Sequence, residues 1–193
     1  MLARDCTFTV LDFETTGTVR GFPDEPWQFG AVELRGETIR VLRDDWLRID
    51  PARPFNPYAP GRHAAVRGLL ASAPAPRDLL PAWTEILSAP GRILVAHNAA
   101  TEKRILSLLA PLLRLGPWVD TLKLARAVLP GGGRRALADV LAACGLEGEA
   151  RAACPGRDWH DALFDATAAA VLLRAWLRSP QWAGVAVEAL ADP

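Results

Sequence analysis

The chain has 193 residues, half of them hydrophobic and 23% charged, which is the composition of an ordinary globular domain and the length of one domain. Its 22 basic residues balance 22 acidic ones, which excludes a protein that coats nucleic acid by bulk positive charge and leaves room only for a local basic groove. Cys6, Cys144 and Cys154 are too scattered for a disulfide framework and lack the paired spacing of a zinc site. No apolar run nears the ~18 residues that a spanning helix needs, and Arg4 and Asp5 precede a strand-like run where an export signal would carry its apolar segment. The expectation is a single cytoplasmic domain over residues 1–193 with no membrane contact.

In chain order, the first fifty residues read as strands. Cys6–Leu11 is apolar and β-branched, Trp27–Leu34 alternates loosely and turns at Arg35-Gly36-Glu37, and Thr38–Ile49 is rich in Ile, Val, Leu and Trp. Short connections predict an antiparallel arrangement of the three. Residues 50–62, with four prolines, read as an ordered surface loop. Helical spacing then sets in over Leu79–Leu87, followed by a buried strand at Arg92–Ala96, an amphipathic helix over Glu102–Leu115 with Pro111 as a candidate break, and a short strand at Trp118–Asp120. Helices are predicted at Thr121–Val128, Ala136–Cys144, Asp161–Leu177 and Trp182–Leu190. Strands alternating with helices after an antiparallel start predict an α/β domain built on a mixed sheet.

Three motifs carry chemistry. Asp12 and Glu14 end the first strand, two residues apart, so their carboxylates share one face. Side by side they repel, and a hard divalent cation with oxygen ligands resolves the conflict. Thr15-Thr16-Gly17 then turns the chain beside them. In the second motif a buried strand delivers His97 and Asn98 to its end, and Glu102 falls in the first turn of the next helix, where the dipole favours a carboxylate. In the third, His160 stands at the start of the last long helix and Asp165 lies just over one turn along it. Asp161 reads as an N-terminal acid complementing that helix.

The order D-x-E-T-T-G, strand-H-N-A-x-x-acid, H-x-x-x-x-D resembles the DEDDh 3′–5′ exonuclease family, which includes polymerase proofreading subunits, RNase T and oligoribonuclease. The resemblance runs from about Thr7 to Leu177, and Asp120-Thr121-Leu122 agrees with it. It implies an RNase H-like fold: a five-stranded mixed sheet, three antiparallel N-terminal strands plus two parallel ones, flanked by helices. It implies Asp12, Glu14, Glu102 and Asp165 as ligands of two Mg²⁺ (or Mn²⁺) ions, His160 as general base, and Thr15, Thr16, His97 and Asn98 as contacts to the terminal nucleotide. The expected substrate is a single-stranded DNA or RNA 3′ end, cut to nucleoside 5′-monophosphates. A polymerase or other processivity partner fits the resemblance, and a homodimer is open.

The sequence departs from the family at Glu102, which stands where an aspartate is usual, and at Thr101, which replaces an aromatic residue. A second reading follows from that departure: a weakened or inactive domain of this fold that binds nucleic acid or acts as a scaffold. Arg134, Arg135, Arg151 and Arg157 are candidate phosphate contacts, and Trp27 and Trp159 lie near enough to the motif-bearing loops to stack on bases. The Pro155–Trp159 segment is expected to bring His160 into place only when substrate binds.

Overall fold

The computed structural model describes residues 1–59, 63–129 and 135–191. Strands β1 (Thr7–Thr15), β2 (Pro26–Arg35) and β3 (Thr38–Trp46) come first. They are followed by α1 (His63–Leu70), α2 (Pro76–Leu87), β4 (Arg92–Ala96), α3 (Ala100–Leu109), β5 (Trp118–Asp120), α4 (Thr121–Val128), α5 (Leu137–Cys144), α6 (Glu147–Ala153), α7 (Ala162–Arg178) and α8 (Val187–Ala191). The five strands form one sheet in the order β3-β2-β1-β4-β5. β1 pairs antiparallel with β2, and β2 with β3; β1–β4 and β4–β5 are parallel. This is the five-stranded mixed sheet, three antiparallel strands plus two parallel ones, of the RNase H-like fold that the resemblance implies.

Central β1 is covered on both faces, so its apolar residues divide between two cores. Phe8, Val10, Val32 and Leu34 face α7, whose Leu163, Phe164, Ala168 and Leu172 pack on them. Leu11, Phe13 and Phe29 face the other way, against Trp83 of α2 and Ile105 and Leu106 of α3. Alanines at 162, 166, 169 and 170 are all buried and let α7 lie low on the sheet. No helix among the described residues is long and apolar enough to cross a membrane.

Several boundaries differ from expectation. β3 ends at Trp46: the Leu47 N–H makes one more bond to β2, at the Trp27 carbonyl, and the Arg48 N–H then leaves the sheet for the carbonyl of Pro74. α3 stops at Leu109, two residues before Pro111, which has no N–H to continue the helix. α8 begins only at Val187; Trp182, expected within it, lies in a turn and stacks on Trp176. Helices α1 and α6 are not among the predicted elements. In α6 only Ala150 is buried, so there is no apolar stripe to read. In the proline-rich loop the Asn56 N–H donates to the Thr16 carbonyl at 2.8 Å; Pro60, Gly61 and Arg62 lie outside the described residues, as does Arg134.

Candidate active site

β1 delivers Asp12 and Glu14 to the α7 face of the sheet, while Leu11 and Phe13 anchor the opposite core. Across the ladder, Asp12 pairs with Gly30 and Glu14 with Gln28. Both partners receive the start of α7. The Ala162 N–H donates to Gln28 Oε1 at 3.1 Å. Asp161 caps the helix, its Oδ1 accepting from the N–H groups of Leu163 at 3.2 Å and Phe164 at 3.3 Å, the N-cap role expected of it. Asp165 follows in the first turn.

His160 holds a left-handed backbone, with φ +63°. Its N–H donates to Asp165 Oδ2 at 3.3 Å. Glu14, His160 and Asp165 each offer one ligand atom, and those atoms all lie within 4.8 Å of one another. The ring thus already stands at the carboxylates, contrary to the expectation that it stays away until substrate arrives.

Glu102 comes from α3, which packs on the Leu11 and Phe13 side of the sheet; it is not part of the Glu14–His160–Asp165 group, but its charge acts on Asp12. The chain leaves β4 at Ala96, and Asn98 takes a left-handed turn at φ +76°. Asp120 at the end of β5 fixes that turn. Its carboxylate accepts from Asn98 N–H at 3.1 Å, Ala99 N–H at 3.2 Å, Leu122 N–H at 2.9 Å and Lys123 N–H at 3.4 Å. Glu102 then sits in the first turn of α3, only 3% exposed. Its Oε2 and Asp165 Oδ1 are buried and without a hydrogen-bond partner.

The electrostatics are those of crowded acids. Loss of solvent, then the charges of Asp165, Glu102, Glu14 and Asp161, push the Asp12 carboxyl well above the carboxylate range. Burial, then Asp165 and Asp161, push Glu14 up to about 8. Burial carries Glu102 to about 8, with Asp120 adding to it. Asp165 is raised to about 7, chiefly by burial, while the His160 N–H pulls the other way. Burial lowers His160, which keeps its ring neutral near pH 7. Acids that resist ionising together, with oxygens left unpartnered, fit a hard divalent cation coordinated by oxygen.

The remaining predicted contacts divide. Asn98 is exposed on the rim and Thr15 is half-buried there. Thr16 is buried, its hydroxyl accepting from the Glu25 N–H at 3.1 Å. Both nitrogens of the His97 ring are engaged, with Thr121 Oγ1 at 3.0 Å and the Arg135 carbonyl at 2.8 Å, so the ring braces the fold behind Asn98. Trp27 is fully buried and stacks on Trp46, so it is not open to a base. Trp159 packs edge-on against Phe164. Arg151 pairs with Asp158 and Arg157 with Asp44 and Asp161, so neither is a free phosphate contact.

The RNase T exonuclease family matches residues 9–173, a span that contains every acid of the cluster and His160. The chain belongs to this exonuclease family. Among its relatives, exodeoxyribonuclease 10 of Escherichia coli K12 is 28% identical over 125 residues, covering 63% of this chain and 48% of that protein. The PolC-type DNA polymerase III of Thermotoga maritima is 32% identical over 129 residues, 65% of this chain and 9% of the relative. The chain therefore spans half or less of the length of these curated relatives. E. coli exonuclease I in complex with a dT13 oligonucleotide superposes with a TM-score of 0.67 at 15% identity, over 90% of this chain and 41% of that one. A 3′-exonuclease solved for its recognition of the histone mRNA stem-loop superposes with a TM-score of 0.68 at 16% identity, over 91% and 83%. These likenesses establish the shared fold.

The sequence offers no expectation for Gly30, Gln28 or Asp44 beside this candidate site, marks Asp120 only as part of the Asp120-Thr121-Leu122 string, and assigns Arg157 to phosphate where the structure gives it two carboxylates. One signal was there to read: a glycine inside a strand marks a close backbone approach.

Proposed function

We propose that the domain is a 3′–5′ exonuclease that hydrolyses single-stranded nucleic acid from its 3′ end to nucleoside 5′-monophosphates. The observation that carries this reading is the convergence of Glu14, Asp165 and His160 within 4.8 Å in a chain of an exonuclease family. Asp12, Glu14, Glu102 and Asp165 would hold divalent cations, two Mg²⁺ or Mn²⁺ ions as the motif resemblance implies, which supply charge neutralisation at the phosphate and a more acidic attacking water. The neutral His160 ring accepts the proton of that water as its oxygen bonds to phosphorus and the bond to the 3′-oxygen breaks. Asn98, Thr15 and the Thr16 turn hold the terminal nucleotide, with His97 supporting Asn98 from behind.

The sugar stays open in this reading, because the structural neighbours include one solved with DNA and one concerned with RNA. A polymerase or other processivity partner is part of the proposal, since the chain matches a small share of polymerase III relatives. The test is degradation of 5′-labelled single-stranded DNA and RNA in Mg²⁺, Mn²⁺ or EDTA, with Asp12→Ala as control. A ladder shortening from the 3′ end, lost with EDTA and in the variant, is the expected result. A folded protein that shortens neither substrate would replace this reading with the binding or scaffold domain that Glu102 suggests.

A further inference from the structure

We infer that Arg157 is a positioning residue for His160: its guanidinium pins the segment before α7 to β3 and so fixes where the His160 ring stands. The inference rests on the reading of His160 as proton acceptor.

Arg157 Nη2 lies 2.5 Å from Asp44 Oδ2 on β3, and Nη1 lies 2.6 Å from Asp161 Oδ2. The other oxygen of Asp161 is the cap of α7. Gln28 closes the ring, donating to Asp44 Oδ1 at 3.5 Å and accepting from the Ala162 N–H at 3.1 Å. One guanidinium therefore ties a sheet strand, a helix cap and the three-residue approach to His160 into a single loop of bonds. Asp44 is well placed for this, since in the ladder it lies across Gly30 from Asp12.

The arrangement matters because His160 has few other restraints. It is exposed, and its backbone is in the left-handed region, which a residue other than glycine keeps only when its surroundings hold it there. Its own anchor is one N–H bond of 3.3 Å to Asp165. The fork of an arginine spans two carboxylates with fixed geometry, which a lysine ammonium does not reproduce. Arg157, Asp44 and Asp161 retain 29%, 25% and 9% of their side-chain exposure, so the pairs are partly shielded from water and salt.

The test compares Arg157→Ala, Arg157→Lys and Asp44→Asn in wild-type and His160→Ala backgrounds. Asp44→Asn keeps the Asp161 cap and serves where Arg157→Ala folds poorly. A misplacement near 1 Å costs on the order of 10²-fold in rate, so Arg157→Ala is expected to lower kcat by about 10- to 100-fold. Arg157→Lys should recover little of that loss, while KM and Mn²⁺ affinity stay unchanged. In the His160→Ala background the same substitution should change the rate less than about twofold, because its effect runs through the missing ring. Hydrogen exchange at the amides of residues 160–164 should accelerate in Arg157→Ala and Asp44→Asn. Additive losses in the His160→Ala background, a rise in KM alone as for a phosphate contact, or unchanged exchange would each overturn the inference. A wild-type protein that degrades nothing would refute the exonuclease reading, and with it the catalytic part of the role. The exchange measurement would still decide whether Arg157 holds the segment.

Discussion

The backbone of Ala162 crosses Gly30 so closely that a β-carbon on Gly30 would lie 2.3 Å from the Ala162 carbonyl carbon. Gly30 also pairs with Asp12, so the one position in β2 without a side chain is where α7 must descend for Asp165 and His160 to meet the acids of β1. The obstacle to a side chain there is backbone, which cannot swing aside. Gly30→Ala is expected to lift the start of α7, costing about 1–3 kcal/mol as overpacking does. For a chain of this size that lowers Tm by roughly 2–4 °C per kcal/mol. Nuclease activity should fall by more than the stability loss explains. Thermal unfolding and initial rates measured on the same samples check both.

Much of this was legible from the sequence because the acids lie on elements with strong local signals. The β1 alternation put Asp12 and Glu14 on one face, and the strand-turn-helix rhythm around 92–102 and 160–165 put Glu102, His160 and Asp165 at element ends. What holds those ends together was not legible. Two of the N–H groups on Asp120 come from Leu122 and Lys123 just after it, but the other two come from Ala99 and from Asn98, the latter 22 positions before it, and the Arg157–Asp44 pair joins residues 113 positions apart. Such pairings depend on sheet register, which local patterning does not encode. For the same reason Arg157 read as a free cation and Trp27 as a stacking surface, when one is spent on two carboxylates and the other lies under β3 and the 49–55 loop.

Without a cation, the crowded acids make the folded protein hold protons that the unfolded chain releases. Unfolded Asp and Glu titrate near 3.8 and 4.5, while Asp165 is raised to about 7 and Glu14 and Glu102 to about 8. The folded state therefore binds more protons between those limits, so unfolding free energy falls as pH rises through that window. In EDTA, Tm is expected to be higher at pH 5 than at pH 8. Mg²⁺ or Mn²⁺ should reverse the order, because binding requires the ionised acids and grows stronger as they deprotonate. Melting curves at pH 5 and 8, with and without Mn²⁺, give the result. An EDTA Tm that rises over this range would contradict the crowding.

Asp120 is expected to matter for stability and for activity together. Its carboxylate satisfies four N–H groups at the Asn98 turn and the α4 N-terminus. Removing it leaves those donors unpaired, at about 1–3 kcal/mol for each that water does not reach. Asp120→Ala should lower Tm by several degrees. Activity should fall as well, because the same turn sets the start of α3 and hence Glu102. Asp120→Asn, which can still accept through one oxygen, should lie between. Tm and kcat for the pair of variants test this, and an Asp120→Ala protein with full activity would separate the turn from Glu102.

Glu102 is the acid on which this chain departs from the usual aspartate, and its environment argues that the longer side chain is now required. The residue is buried at the start of a helix whose entry is fixed by Asp120, and its Oε2 finds no partner within the protein. Shortening the side chain by one methylene draws the carboxylate back toward the α3 backbone while the helix stays in place. Glu102→Asp is therefore expected to weaken Mn²⁺ binding and to cost on the order of 10²-fold in rate, the scale of a 1 Å misplacement. Glu102→Gln keeps the length and removes the charge, which relieves Asp12 of one of its repelling neighbours. In EDTA at pH 8 that variant should melt above wild type, and in Mn²⁺ it should melt below it. Calorimetric Mn²⁺ titration and melting of both variants decide the matter. A Glu102→Asp protein that binds Mn²⁺ more tightly and cleaves faster than wild type would mean that the glutamate is a defect the fold tolerates.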